Sequence, residues 1–394
     1  MQKLIHIVVR GVLPVLISAL QIVLSGSLCQ KTELLHQFNQ IKISMLKKIF
    51  YEIQKSSFLE RRIAMSDKDL TDAMERKLAL RSARIFISIF FLVTVIVISN
   101  YMTSCSPSEN INKTTWSIGV YEGKTPFDLN APEKDMNPVL HAGNLPKDEA
   151  SLVAHPRMII KDSVYYLFYT AVNQETDNNY KIGLAESTNG YKWEFKQIIM
   201  DGSYNLAHPF VFEFENKVYM IPEPAGGSTA SLYIAEDFPY KWKYEKDLIT
   251  KEKLNSPFVF RHDNTWWMIH SSEGNDTMYL YYADDLYGPW EEHPQSPVIV
   301  NNKQTARPAG RPFLYKGNLY RLAINCIPQY GTSVLVFQIN ELTRTSFKET
   351  RLDKPFIEAA ETGWNSIGMH HADVHQIGEN HWIAVVDGHG VVNE

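Results

Sequence analysis

Four points in the sequence set a polar side chain directly ahead of a proline: Ala154-His155-Pro156-Arg157, Ala207-His208-Pro209-Phe210, Asn255-Ser256-Pro257-Phe258 and Ala306-Arg307-Pro308-Ala309. A histidine pair, His370-His371, follows toward the C-terminal end. Drawn together, His155, His208 and His371 with Arg307 and Arg311 would create a positive field able to hold a phosphate, carboxylate or sulfate through charge-assisted hydrogen bonds. An anionic sugar or a glycosyl phosphate carries such a group. The competing reading of Arg311 is structural, a guanidinium tied to the backbone carbonyls of neighbouring strands.

Carboxylates offer a second chemistry. Hydrolysis of a glycoside ordinarily takes two carboxyl groups, one protonating the leaving oxygen and one activating water or attacking the sugar. The acids near expected strand ends are Glu223, Glu273, Asp276, Asp373 and Asp387. Glu223, set between Pro222 and Pro224 at the end of an apolar strand, is the leading candidate for a general acid, and Asp373 is the second. The bland reading of Glu223 is a hydrogen-bonded glutamate at a strand end. Phosphorolysis would need only one protein acid, because phosphate itself attacks the sugar. His370-His371-Ala372-Asp373 has the side chains of a metal ligand set, but no further ligand spacing accompanies it. Neither a metal nor any other cofactor is expected.

The elements that must position these residues are legible in a repeat. Pro156, Pro209, Pro257 and Pro308 recur about every fifty residues. Trp193, Trp242 and Trp290 keep the same beat, and Ala185-Glu186-Ser187, Ala235-Glu236-Asp237 and Ala283-Asp284-Asp285 precede them in register. Each unit divides into four short strands rich in aromatic and β-branched residues; in the second they are 209–214, 217–222, 231–235 and 242–248. Four-stranded units at this period indicate an all-β fold, a β-propeller. Four complete units are visible, and Met369 to Asp373 with His381 to Val386 supply two inner strands of a fifth. Trp116 to Tyr121 is the natural donor that completes it, giving five blades closed from the N-terminal side. Innermost strands of a propeller converge on its axis, so His155, His208, Ser256, Arg307 and the pair His370-His371 are expected to meet there. A residue before proline is expected to be extended, and proline suits the first position of a strand.

The 394-residue chain carries a net charge of −5, which argues against nucleic acid as a partner. Its aromatic content of 12% suits blade packing first and sugar stacking second. Three cysteines, Cys29, Cys105 and Cys326, are too few and too scattered for a disulfide framework; Cys326 reads as a buried core thiol. Residues 1–73 form an extension with a weak apolar segment, Leu4 to Leu24, and a basic, partly helical stretch. Residues 74–105 look like a bacterial lipoprotein signal or membrane anchor. Read from Met74, basic residues Arg76, Lys77, Arg81 and Arg84 precede the uncharged run from Ile85 to Ile98, and small residues lead to Cys105, the candidate lipidation site. Alternatives are a membrane hairpin of the two apolar segments and a plain single-pass anchor. Residues 106–115 read as a polar tether and 116–394 as the propeller, expected outside the cytoplasm.

Several motifs in order carry a family resemblance: Trp116-Ser117-Ile118-Gly119-Val120-Tyr121, His208-Pro209-Phe210-Val211-Phe212-Glu213, Tyr219-Met220-Ile221-Pro222-Glu223, Gly288-Pro289-Trp290, Ala306-Arg307-Pro308-Ala309-Gly310-Arg311 and Gly368-Met369-His370-His371. From Trp116 to Gly388 the chain resembles the N-terminal domain of glucosamine inositolphosphorylceramide transferases and its stand-alone bacterial relatives. The resemblance implies a fold similar to the five-bladed propellers of glycoside hydrolase family 43. In that family acids stand at the strand starts of the first three blades, where this sequence has His155, His208 and Ser256. In the plant members a family 64 glycosyltransferase domain follows the propeller; this sequence ends at Glu394 without one, so sugar transfer is not carried over.

Three functions are compatible with these residues. One is an envelope module that recognises a glycan or glycosyl phosphate through the axial polar groups and Trp266 and Trp267. Another is a glycoside hydrolase or phosphorylase using Glu223. The third is an accessory domain for a separate glycosyltransferase.

Overall fold

The computed structural model describes residues 114–392, apart from 134–135, 175–178, 202–205, 225–226 and 252–253. The expectations for residues 1–73 and 74–105, Cys105 included, lie outside the described residues. Among the described residues no helix is long and apolar enough to cross a membrane.

The fold is a five-bladed β-propeller. Strand β1 (Thr114–Gly123) comes first, and blade one follows as β2 (Leu152–Lys161), β3 (Val164–Val172), β4 (Tyr180–Ser187) and β5 (Glu194–Met200). Blade two is β6 (Leu206–Phe214), β7 (Lys217–Pro224), β8 (Thr229–Asp237) and β9 (Lys241–Thr250). Blade three is β10 (Leu254–His262), β11 (Thr265–Ser272), β12 (Met278–Ala283) and the short β13 (Glu291–Glu292). Blade four is β14 (Pro308–Tyr315), β15 (Asn318–Asn325), β16 (Ser333–Leu342) and β17 (Phe347–Arg351), with β18 (Ile357–Glu358) also paired to β16. Blade five runs in the order β1-β20-β19, from β19 (Gly368–Gly378) and β20 (His381–Val391). The expected donor strand is therefore present, with Trp116 opposite His389 and Tyr121 opposite Ala384. It starts slightly earlier than expected, since Thr114 and Thr115, in the stretch read as tether, already pair with Val391 and Gly390.

The ring closes through the first strand of each blade. Strand β2 touches β6, β6 touches β10, β10 touches β14, β14 touches β19, and β19 returns to β2. The approach of β14 to β19 requires glycine at one position, because a Cβ on Gly310 would lie 2.0 Å from the Ala372 carbonyl oxygen. Between blades the space is filled by apolar side chains, as where Phe210, Ile221, Phe258, Trp267 and Ile269 pack together.

The recurring tryptophans are structural. Each closes a turn between the third and fourth strand positions by donating its indole N–H to a nearby carbonyl: Trp193 to Gly190 at 3.0 Å, Trp242 to Pro239 at 2.9 Å and Trp290 to Leu286 at 3.1 Å.

The expectation of an extended residue ahead of each proline is overturned in blades one to three. His155, His208 and Ser256 have φ of 55°, 45° and 49°. Each sits at a β-bulge, where the ladder breaks between Ala154 and Arg157, Ala207 and Phe210, and Asn255 and Phe258. A left-handed residue with a side chain costs on the order of 1–3 kcal/mol. The offset is a backbone amide released from its own ladder and aimed at an acceptor on the preceding blade. His155 N–H donates to Asp387 Oδ2 at 2.8 Å, His208 N–H to Thr170 Oγ1 at 3.0 Å and Ser256 N–H to Glu223 Oε2 at 2.5 Å.

Candidate functional site

These bulges in blades one to three, with Arg307 from blade four and His370-His371 from blade five, bring side chains of all five blades together. The His155 and His208 rings stack with centroids 3.5 Å apart, and His371 meets them edge-on at 4.8 and 4.7 Å. His370 lies 4.9 Å from His155 and 4.6 Å from His371. Arg307 of blade four reaches across to donate from Nη2 to His208 Nε2 at 2.9 Å and from Nη1 to Asn275 Oδ1 at 2.7 Å. Its Nη2 also lies 3.6 Å from Glu223 Oε2, which in turn accepts from the Ser256 amide and hydroxyl, the latter at 3.1 Å. The expected set of His155, His208, Ser256, Arg307, His370 and His371 is thus one contiguous group, and Glu223 belongs to it.

The electrostatics differ from the expectation of a broad positive field. Burial lowers the pKa of His155, His208 and His371 well below the ordinary imidazole value, and His370, Arg307 and Arg157 add to the effect for His155. These three imidazoles are neutral near neutral pH, and Arg307 brings a positive charge against them. Burial alone would lower the Arg307 pKa, but Tyr330 and Glu223 raise it overall. Because guanidinium only donates, His208 Nε2 must accept, which places the proton of His208 on Nδ1. That N–H is buried without an acceptor, as is Arg307 Nε. The cluster therefore holds two unmatched donors.

Glu223 Oε2 accepts from the Ser256 amide and hydroxyl, with Arg307 Nη2 3.6 Å away, so this oxygen is committed to neighbours within the cluster. Asp387 is also committed: it accepts from the amides of His155, His370 and His371 and from His370 Nδ1 at 2.6 Å. Asp373 and Arg311 are brought to each other, one step further along the inner strands. Asp373 is fully buried, and its oxygens accept from Arg311 Nε at 2.6 Å, Arg311 Nη2 at 3.1 Å, the Met158 amide at 2.7 Å and His375 Nε2 at 3.1 Å. Burial would raise its pKa, but Arg311 and His375 hold it well below the carboxylate range. Arg311 Nη2 also donates to the Val211 carbonyl at 3.0 Å and the Met158 carbonyl at 3.3 Å, so it acts as the inter-blade tie considered above.

Trp266 and Trp267 do not face a ligand. Both lie in the core between blades, at 4% and 2% exposure, because β11 is covered on both faces. The exposed aromatic near the axis is Tyr330, which the repeat did not single out because it stands in the connection between β15 and β16. Its ring lies 5.2 Å from the Arg307 guanidinium and 5.1 Å, edge-on, from His370. Trp116 of β1 stacks on the other side of His370 at 3.8 Å. Thr170, which supports His155 Nδ1 at 2.9 Å, also went unnoticed, having only its place opposite Ala154 to mark it.

A family model described as glucosamine inositolphosphorylceramide transferase 1, N-terminal, matches residues 108–389. The glucosamine inositolphosphorylceramide transferase 1 of Oryza sativa subsp. indica is 34% identical over 300 residues, covering 70% of this chain and 40% of that protein. The Arabidopsis thaliana protein of the same name is 32% identical over 308 residues, covering 72% of this chain and 40% of that protein. The match thus spans about 40% of the length of these curated relatives. Among solved structures, a putative glycoside hydrolase from Parabacteroides distasonis aligns with a TM-score of 0.49 at 12% identity, covering 67% of this chain and 98% of that one. Zg3597, a family 117 glycoside hydrolase of Zobellia galactanivorans, aligns with a TM-score of 0.42 at 15% identity, covering 61% of this chain and 86% of that one.

Proposed function

The chain belongs to the family of the glucosamine inositolphosphorylceramide transferase 1 N-terminal domain, and from that premise we propose that its propeller recognises a carbohydrate bearing a phosphate or other anionic group at the axial cluster. The observation that carries this reading is the pair of buried donors without acceptors, Arg307 Nε and His208 Nδ1, with the Arg307 guanidinium 5.2 Å from the exposed ring of Tyr330. Unmatched donors are costly in an interior, and an oxygen-rich ligand satisfies them. The aromatic face of Tyr330 suits the apolar face of a sugar ring. The names of the relatives add a chemical direction, since glucosamine and an inositol phosphate headgroup combine hydroxyls with a phosphate.

The domain recognises its ligand without cleaving it. Among the described axial residues, Glu223 and Asp387 each accept from backbone amides, unlike the pair of free carboxylates that glycoside hydrolysis uses. Sugar transfer belongs to the whole relatives, of which this chain matches a part. Its role here is to present or hold a glycan for a separate glycosyltransferase, at the membrane and outside the cytoplasm.

Calorimetric titration of the full chain with glucosamine 1-phosphate, inositol 1-phosphate and their unphosphorylated counterparts tests the reading. The phosphorylated ligands should bind more tightly. Arg307→Gln should weaken them by roughly tenfold or more, as expected for a lost charge-assisted hydrogen bond worth about 1.5–3 kcal/mol. Equal binding of charged and uncharged forms, or no binding by any member of a glycan array, would end it.

A further inference from the structure

Asp387 does something that glycan recognition does not require. It is fully buried on β20, and it accepts the main-chain amides of three histidines: His155 at 2.8 Å, His370 at 3.2 Å and His371 at 2.8 Å. Those three are the residues whose imidazoles each bring one ring nitrogen into a group spanning no more than 4.8 Å. One carboxylate therefore fixes the backbone beneath three convergent nitrogen donors. A carboxylate that accepts the second ring N–H of a ligating histidine is a common support of metal ligands, and His370 Nδ1 makes that contact with Asp387 Oδ1.

The nitrogens themselves are under-used. His370 Nδ1 lies 2.6 Å from Asp387 Oδ1 and 3.2 Å from His371 Nδ1. The carboxylate selects the proton on His370 Nδ1, which directs a donor away from His371. A neutral imidazole must donate at one nitrogen and accept at the other. His371 has no solvent exposure, and its Nε2 has no partner, so either tautomer leaves a hydrogen-bonding group unmatched. Such an orphan inside a protein calls for an occupant.

We infer that His155, His370 and His371 form a binding site for one divalent transition-metal ion of the zinc class, with Asp387 as the residue that positions the ligands. Three imidazoles suit zinc, cobalt or nickel and not calcium or magnesium, which take oxygen ligands. Tetrahedral zinc–nitrogen bonds of about 2.0–2.1 Å set the donors about 3.3–3.4 Å apart, so the widest separation allowed by the group must close by about 1.5 Å. Three protein ligands leave a fourth position open, the arrangement of sites that bind an exchangeable water or ligand. The guanidinium groups of Arg307 and Arg157 oppose a cation beside His155, and the carboxylates of Asp373 and Asp387 offset Arg157. Sequence spacing pointed away from a metal because His155 joins the histidine pair only when the ring closes. The inference stands apart from the glycan reading, since it concerns the ion alone.

The test is titration of the purified full chain with Zn²⁺ alone, after exhaustive chelation, followed by calorimetry and elemental analysis. About one equivalent should bind per chain. His155→Gln and His371→Gln should abolish it, and Asp387→Asn should weaken it by roughly 10–100-fold. His262→Gln, outside the cluster, should bind as the unaltered chain does. Should the cluster variants fail to fold, Co²⁺ substitution of the unaltered chain decides: visible absorption typical of low-coordinate nitrogen ligation supports the site, and a spectrum of aqueous cobalt overturns it. Stoichiometric zinc that survives both histidine changes overturns it equally. The readout does not depend on any sugar, so failure here leaves the phosphate-binding test intact.

Discussion

The ring of His155 lies against that of His208 with centroids 3.5 Å apart and planes inclined by 21°. Stacked at that distance, the two cannot both be charged without strong repulsion, and burial keeps them neutral together with His371. The folded chain takes up these protons only well below the value of 6.5 that an unfolded chain shows. In that interval the unfolded state binds more protons, so stability rises with pH and falls on acidification below about pH 6.5. The limiting slope is about 1.4 kcal/mol per pH unit for each imidazole. Melting temperature measured between neutral pH and about pH 5 should fall steadily; a flat profile would show that the rings protonate freely.

Asp373→Asn should destabilise the propeller by about 3–5 kcal/mol, because it leaves Arg311 without its buried counter-charge between blades. Equilibrium urea unfolding reads this directly. A loss under about 1 kcal/mol, the range of ordinary surface changes, would mean that the tie is incidental.

For Glu223→Gln the expectation is a folded protein with glycan binding retained. The amide oxygen still accepts from the Ser256 backbone, whose N–H lies 2.5 Å from the present carboxylate. Sugar release or phosphate-dependent formation of a sugar phosphate by the unaltered chain, abolished in this variant, would restore Glu223 as a catalytic acid.

Cys105→Ser should move the propeller from the membrane to the soluble fraction if residues 74–105 act as a lipoprotein signal. Unchanged membrane retention in fractionated cells would favour a spanning anchor instead.

Much of the framework is legible in the sequence. The strands expected from 209–214 and 217–222 appear as β6 and β7 with the same inner ends, Phe214 and Lys217, and Trp116 to Tyr121 does complete the last blade. Alternating aromatic and β-branched residues between turn signals reveal strands, because the pattern is local. Convergence on the axis was legible as topology, and the group from His155 to His371 assembled as expected. What the pattern could not convey was environment. Trp266 and Trp267 have the composition of a sugar platform, yet β11 is covered on both faces, a distinction set by neighbouring blades. The neutral state of the histidines follows from burial, and the left-handed φ of His155, His208 and Ser256 follows from acceptors on the preceding blade. Tyr330 and Trp116 enter the site from a loop and a closing strand that stand outside the repeat.

Because β1 lies along β20, the first strand of the propeller to emerge during synthesis finds its partner only when β20 has been made. Blades one to four can form as the chain lengthens, but the early strand must wait with an unpaired edge until residues near Val391 leave the ribosome. Assembly of the axial cluster thereby waits for the β19–β20 hairpin, since His370, His371 and Asp387 arrive with it. A ribosome stalled short of it would leave the His155 amide without its Asp387 acceptor and the nascent blades unable to hold a ligand.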